Sequence, residues 1–138
     1  LWLCRSSDPS RKNVLLYVDG SAASFRMADH VGFIVGFEKK HRVDLLVMDS
    51  IAAQSSLMDS YREALLKHGV PADMIQTRLL GSGNPGKQIL KLVETEAYAA
   101  VGLGRASSES SMLARLFKGP VCSVLFKELE AASLWLCP

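Results

Sequence analysis

Short apolar runs alternate along the chain with stretches in which apolar residues recur every three or four positions. The short segments predict strands at Val14–Val18, Val43–Met48, Met74–Leu80, Tyr98–Leu103 and Leu134–Cys137. The first is a continuous apolar run closed by Asp19-Gly20-Ser21, which is typical of a strand that is buried on both faces and ends in a turn. The second is interrupted only by Asp44.

Residues at helical spacing predict a helix after each of the first four strands. Their apolar faces are Met27, Val31, Ile34 and Val35; Leu57, Tyr61, Ala64 and Leu65; Ile89, Leu90, Leu92, Val93 and Ala97; and Val121, Val124, Leu125 and Leu129. We expect the first helix over Ser24 to about Phe37 and the second to end at Gly69. The fourth should extend from Pro120 to Ala132, since proline suits the first position of a helix.

Strands that alternate with helices predict an α/β fold with an open, doubly wound, five-stranded parallel sheet and helices on both faces. A closed barrel would need eight such units. The 138 residues are enough for one compact domain, and 49% hydrophobic with 22% charged residues is ordinary globular composition.

Composition and residue spacing exclude several classes of function. A formal net charge of +2 provides no phosphate-binding stripe, so nucleic acid is not an expected partner. Neither a membrane helix nor an export signal is recognisable, and we expect a cytoplasmic protein. The cysteines and histidines lack metal-like spacing, so no disulfide, metal site or catalytic nucleophile is expected, and the histidines should be solvated. These residues are Cys4, Cys122, Cys137, His30, His41 and His68.

The tetrapeptide Leu-Trp-Leu-Cys occurs at both ends of the chain, at residues 1–4 and again at 134–137. Because tryptophan and cysteine are rare, the repeat favours a duplicated unit over coincidence. We therefore expect residues 1–12 to be the final strand of a preceding copy followed by a polar linker, and residues 13–138 to be one domain. The chain would then be a fragment of a tandem protein or a processed chain.

The loop from Gly81 to Gln88 fits both GxGxxG and the GxxxxGK part of a P-loop. However, Gln88 lacks the hydroxyl that holds magnesium in a P-loop, and Pro85 removes one N–H from a phosphate nest. The dinucleotide pattern also belongs after the first strand, whereas this loop follows the third. A flexible turn that starts a helix explains these residues better than a P-loop enzyme built on Gly81–Lys87.

The turn Asp19-Gly20-Ser21 lies at the carboxyl end of the first strand, where open α/β sheets bind ligands. The same residues would also cap the following helix, because Asp and Ser accept hydrogen bonds from its free N–H groups. Both interpretations, ligand site and helix cap, remain open at this stage.

These features together resemble the universal stress protein domain: Val18-Asp19-Gly20-Ser21, an apolar second strand ending at Asp49, and Gly104 followed by Leu113 to Gly119. The resemblance covers Asn13 to Pro138 and implies strand order 3-2-1-4-5, with an adenine nucleotide, ATP in particular, in the crevice. It assigns binding roles to Asp19, Gly20, Ser21, Val47, Met48, Gly104, Arg105 and Gly119.

The phosphate-binding part departs from the family pattern, which is Gly, two residues, Gly, nine residues, then Gly-Ser or Gly-Thr. Fourteen residues separate Gly104 from Gly119, with Ser107, Ser108 and Glu109 where the middle Gly belongs. Pro120 follows Gly119 and supplies neither N–H nor hydroxyl to a phosphate. Each lost charge-assisted bond costs about 1.5–3 kcal/mol, so ATP binding should be weakened or lost.

The sequence therefore predicts a non-enzymatic stress-response regulatory domain that acts by association. The resemblance implies a homodimer, or pairing with an upstream copy, through the last strand: Leu134, Trp135, Leu136 and Cys137. In a tandem chain, we expect Leu1–Cys4 to pair with Leu134–Cys137. A short apolar strand at the edge of a sheet needs such a cover. The alternative is an ATP-binding switch or slow ATPase that uses Asp19, Gly104, Arg105 and Gly119, helped by the serines of Ser107–Ser111.

Overall fold

The computed structural model describes residues 1–5, 8–105 and 120–138. The strands are β1 (Trp2–Leu3), β2 (Asn13–Val18), β3 (Val43–Val47), β4 (Ile75–Leu79), β5 (Tyr98–Gly104) and β6 (Ser133–Cys137). The helices are α1 (Ala22–Val35), α2 (Asp49–Ala52), α3 (Ser55–Leu66), α4 (Pro85–Thr95) and α5 (Pro120–Glu128), with a 3-10 turn at Ala72–Met74.

One sheet contains all six strands in the order β1-β6-β5-β2-β3-β4. Strands β2 to β6 are parallel to one another, as the alternation of strands and helices predicts. Strand β1 is antiparallel to β6. The expectation of five strands is therefore wrong by one. The sixth strand is the first copy of the repeated tetrapeptide, which joins the sheet at its edge.

The side chains of β2 point alternately to the two faces of the sheet, and each face packs against its own apolar core. Leu16 and Val18 face the core that includes Met27 of α1 and Leu65 of α3. Leu15 faces the opposite core, which contains Ile89 of α4 and Leu125 of α5. Both faces of the sheet are thus covered, which explains why its central strands are apolar throughout.

Several helix boundaries differ from the sequence-based expectation. Helix α1 begins at Ala22 and ends at Val35, about two residues earlier than predicted, because Ser21 caps it by accepting a hydrogen bond from the Ser24 N–H at 3.1 Å. The short helix α2 was not predicted. Helix α5 ends at Glu128 rather than Ala132, since the following residues must turn the chain so that Ser133 pairs with Ala100 in the sheet.

A buried polar network joins the first residues of β3 and β5 to β4. Asp44 is completely buried and receives two hydrogen bonds from Arg42, at 2.8 and 3.0 Å. The Tyr98 hydroxyl donates to Asp44 Oδ2 at 2.5 Å, the oxygen that also accepts from Arg42 Nη2. Arg78 donates to the Tyr98 hydroxyl at 2.7 Å and to Glu96 at 2.5 Å. Burial and the Asp44 charge raise the pKa of Tyr98 to about 12, so its phenol stays neutral and remains a donor.

Within the described ranges, no helix is both long and apolar enough to cross a membrane.

Candidate functional site

The carboxyl ends of β5, β2 and β3 lie side by side and form a crevice at one end of the sheet. Val18 pairs with Val47, and Tyr17 pairs with Leu103. The strand order changes direction here, because β3 and β5 lie on opposite sides of β2. This is the place where open α/β sheets bind ligands. The structure thus brings Asp19-Gly20-Ser21, Val47-Met48 and Gly104-Arg105 to one crevice.

The turn after β2 is closed by its own polar groups. Gly20 has a φ of +81°, which a residue with a side chain adopts only with strain. Asp19 Oδ1 accepts a hydrogen bond from the Ser21 N–H at 2.9 Å, and Ser21 Oγ caps α1. The helix-cap interpretation is therefore confirmed for Ser21, whereas Asp19 closes the turn that precedes the helix. The exposed Asp19 carboxylate is still able to accept hydrogen bonds from a ligand's hydroxyl groups.

The hydroxyl of Tyr61 on α3 holds this turn through hydrogen bonds to Gly20 and Ser24, a role that sequence reasoning missed. The Gly20 N–H donates to the Tyr61 hydroxyl at 3.0 Å, and that hydroxyl is hydrogen-bonded to buried Ser24. Since Ser24 Oγ donates to the Ser21 carbonyl at 2.9 Å, Tyr61 donates to Ser24. Burial raises the pKa of Tyr61, and the nearby Asp19 charge raises it further. A buried serine on an otherwise apolar helix face was the available signal.

Gly104 lies against the backbone of the first turn of α1. A Cβ atom at this position would come within 2.1 Å of the Ser24 nitrogen and 2.3 Å of the Ala23 carbonyl carbon. Gly104 therefore has a packing reason to be present that is independent of any bound phosphate.

On the other side of β2, Val47 is buried, whereas Met48 is 48% exposed beside the crevice.

Arg105 follows Gly104 and faces the amino-terminal part of α5. Its backbone N–H donates to the Cys137 carbonyl at 2.7 Å, while its buried side-chain Nε–H has no acceptor within the part of the chain that the structure describes. Burial raises the pKa of the Cys122 thiol, and the positive charge of Arg105 partly opposes that rise. Gly119, Ser107–Ser111 and the rest of the motif between them lie outside the described residues.

The loop between β4 and α4 has the structure of a helix start. Asn84 caps α4 by accepting a hydrogen bond from the Lys87 N–H at 3.1 Å, and Pro85 is the first helical residue. Lys87 Nζ forms an ion pair with Glu128 at 2.8 Å. Gln88 donates to the Gly81 carbonyl at 2.9 Å. The loop follows β4, the last strand of the sheet, and its contacts are those of a turn that starts a helix rather than a P-loop. It begins next to the crevice, since the Leu80 N–H donates to the Val47 carbonyl at 2.8 Å.

The outer edge of β6 is covered by β1. Trp2 pairs with Trp135 and Leu3 with Leu134. The two indole rings are stacked, with centroids 5.3 Å apart and an interplanar angle of 23°. Ser133–Cys137 is therefore not the outermost strand of the sheet, but the expected pairing of Leu1–Cys4 with Leu134–Cys137 is confirmed over residues 1–3 and 134–136.

Arg5 anchors the end of β1 to the last turn of α5. Its guanidinium donates to the carbonyl oxygens of Phe126, Lys127 and Leu129, at 2.5, 3.2 and 3.4 Å. The last carbonyls of a helix lack hydrogen-bond donors within the helix, and the helix dipole makes this end negative. An arginine at this place supplies both the missing donors and a compensating positive charge.

We expect Arg5→Ala to weaken the docking of β1 by about 1–2 kcal/mol, because charge-assisted hydrogen bonds are lost. The Leu136 amide, which donates to the Leu1 carbonyl at 2.8 Å, should then exchange its hydrogen about tenfold faster in NMR experiments. Arg11→Ala is the matched control, since Arg11 donates to the Val93 carbonyl at the end of α4, away from β1. Equal exchange in both variants would contradict the anchoring role.

Two of the three histidines are hydrogen-bonded and partly buried. His68 lies 2.9 Å from Asp29, and His41 lies 2.9 Å from Glu38 and 2.6 Å from the Lys12 carbonyl. Both are half-buried, so the expectation of solvated side chains is wrong for them, while His30 is exposed. In residues 1–5, 8–105 and 120–138, no three His, Cys, Asp or Glu side chains cluster as metal ligands.

Comparisons with known proteins identify the fold. No protein-family model and no curated protein matches the chain. The chain is similar to the crystal structure of a universal stress protein in complex with cAMP, with a TM-score of 0.68 and 15% identity over 91% of this chain and 95% of that one. It is also similar to protein Rv1636 from Mycobacterium tuberculosis H37Rv, with a TM-score of 0.61 and 18% identity over 91% and 92%. The chain therefore has a fold like that of a universal stress protein.

Proposed function

We propose that this chain is a non-enzymatic regulatory domain of the universal stress protein type, which acts by associating with another copy through β6 and has lost tight ATP binding. Residues 1–12 would then be the end of the upstream copy, and residues 13–138 the domain itself. A net charge of +2 suits a protein partner in the cytoplasm better than nucleic acid or a membrane surface.

The pairing of β6 with its own sequence is the observation that carries this proposal. The Leu-Trp-Leu segment of residues 1–3 pairs antiparallel with the identical segment at residues 134–136. β6 therefore already pairs with the same sequence that the β6 strand of a second copy would present. An interface between identical surfaces is closed by two-fold symmetry and leaves no edge for further pairing.

Three backbone donors of the turn after β2 and of the start of α1 are already used within the protein. The Gly20 N–H is bound to Tyr61, the Ser21 N–H to Asp19 and the Ser24 N–H to Ser21. A nucleotide would have to replace these bonds, and the sequence Gly119-Pro120 offers no N–H or hydroxyl at the proline. Weak or absent ATP binding follows from both observations.

The alternative is an adenine-nucleotide switch, or a slow ATPase, in the same crevice. The buried Nε–H of Arg105, without an acceptor in the described part of the chain, favours this possibility because an anion could occupy it. The exposed carboxylate of Asp19 could bind ribose hydroxyls, with the adenine near Val47 and Met48. The similar universal stress protein that was crystallised with cAMP makes an adenine nucleotide the first ligand to test.

Calorimetry with ATP, ADP, AMP and cAMP distinguishes the two functions. The proposed regulatory domain should give no heat of binding below millimolar nucleotide, because each missing phosphate bond lowers affinity by roughly 10- to 100-fold. Micromolar binding that is abolished by Asp19→Ala and unaffected by Lys87→Ala would instead establish the switch. Lys87 is the matched control, since its ammonium group is paired with Glu128 of α5. Loss of binding in Lys87→Ala alone would indicate a P-loop.

A further inference from the structure

We infer that β1 holds the place of the β6 strand of a second copy, and that releasing β1 lets two chains pair through β6 in a symmetric register centred on Trp135. This inference rests on the proposed association through β6 and adds its register and an internal competitor. Strand β1 is thus a cover that controls access to the interface.

The observed register makes the replacement possible without any change of side chains. Residues 1–3 have the same sequence as residues 134–136. Trp2 faces Trp135, Leu3 faces Leu134, and Leu1 exchanges hydrogen bonds with Leu136 at 2.8 and 2.9 Å. If residues 134–136 of a second copy replaced residues 1–3, Trp135 would face Trp135 and each Leu134 would face a Leu136.

The hydrogen-bond pattern places the tryptophans where side chains approach most closely. Because Leu1 and Leu136 form a hydrogen-bonded pair, the adjacent pair, Trp2 and Trp135, is of the non-hydrogen-bonded kind, with Cα atoms about 4.5 Å apart. The same pair would lie on the two-fold axis of the dimer. Cysteines at such a position are within the Cα separation of about 4.4–6.8 Å that a disulfide spans.

Strand β1 is held weakly enough to be displaced. It is two residues long, and both Leu1 and Trp2 are 56% exposed. Its advantage over a second copy comes from the short tether to β2 and from Arg5, which binds the end of α5. A short tether gives an effective concentration of about a millimolar, so a free chain competes only when β1 is loosened.

The first experiment compares the intact 138-residue chain with an opened variant, Leu3→Pro with Arg5→Ala. Proline removes the N–H of β1 that pairs with Leu134, and alanine removes the anchor. Light scattering up to several hundred micromolar should give a monomer mass for the intact chain and a twofold larger mass for the opened variant. Circular dichroism checks that the variant is folded, and Arg5→Ala alone serves if the double variant is not.

The second experiment traps the register with a disulfide, in a chain with Cys4→Ser, Cys122→Ala and Cys137→Ser. In the opened variant, Trp135→Cys should form a covalent dimer under mild oxidation. The matched control is Trp2→Cys with Trp135→Cys in the unopened chain, which should close the disulfide internally and remain monomeric. Reduction should reverse both.

The outcomes separate this inference from the proposed function on which it rests. An opened, folded chain that stays monomeric at all concentrations would overturn both the cover and the association through β6. A dimer that forms without the Trp135→Cys disulfide would retain association and overturn the register. An intact chain that dimerises as strongly as the opened one would retain association and overturn the role of β1 as a competitor.

Discussion

Replacing Asp44 with alanine is expected to lower the free energy of unfolding by about 3–5 kcal/mol, a large part of the roughly 5–15 kcal/mol that stabilises a typical domain. The carboxylate is completely buried and is the acceptor for both Arg42 and Tyr98. Without it, the guanidinium of Arg42 keeps only the 3.7 Å ion pair with Glu96, and the phenol of Tyr98 keeps only a 3.5 Å contact with the same carboxylate. Unsatisfied buried groups of this kind are costly.

Urea unfolding followed by circular dichroism measures this loss. Tyr98→Phe should cost less, about 1–2 kcal/mol, because it removes the hydroxyl's hydrogen bonds to Asp44 and from Arg78 but leaves the Arg42–Asp44 pair intact. Asp59→Ala is the control for removing a carboxylate, since Asp59 is exposed on α3, and it should change stability by less than about 0.5 kcal/mol. If Asp44→Ala were as mild as Asp59→Ala, the network would not contribute to stability.

The network also illustrates what the sequence could not reveal. Hydrophobic spacing identifies β3 as buried, and the apolar run around Asp44 is sufficient for that prediction. The partners of Asp44 are a different matter, since Tyr98 lies 54 residues away in the chain and on a different strand. Local patterns carry no information about such pairs. The same reason explains why the hydroxyl contact between Ser24 and Tyr61, 37 residues apart, was missed.

The edge of the sheet was predictable in part, because the repeated tetrapeptide is visible in the sequence. The repeat indicates that the two segments are equivalent, and the short apolar strand indicates an edge that needs cover. The sequence also predicts that Leu1–Cys4 pairs with Leu134–Cys137, and the structure confirms this pairing at Trp2 and Leu3. What the sequence did not predict is that the pairing adds a sixth strand to the sheet, or that Arg5 binds the end of α5 beside it.

Gly104→Ala is expected to destabilise the protein by about 3 kcal/mol or more, because the new methyl group would meet backbone atoms that cannot move aside. Its Cβ would lie 2.1 Å from the Ser24 nitrogen, well inside van der Waals contact. Relief would require β5 and the first turn of α1 to separate. That movement would also displace the turn at Asp19, so the candidate crevice would be distorted along with the core.

Gly102→Ala is the matched control in the same strand. Its Cβ would lie 3.2 Å from Leu16 Cδ1 and 3.3 Å from Met27 Cγ, and these flexible side chains can yield. We expect a cost below about 1.5 kcal/mol in the same urea unfolding experiment. Equal effects of the two substitutions would contradict the backbone contact. A large effect confined to Gly104→Ala, in a chain that does not bind nucleotide, would mean that packing alone requires the first glycine of the family pattern. Its presence would then say nothing about a bound phosphate.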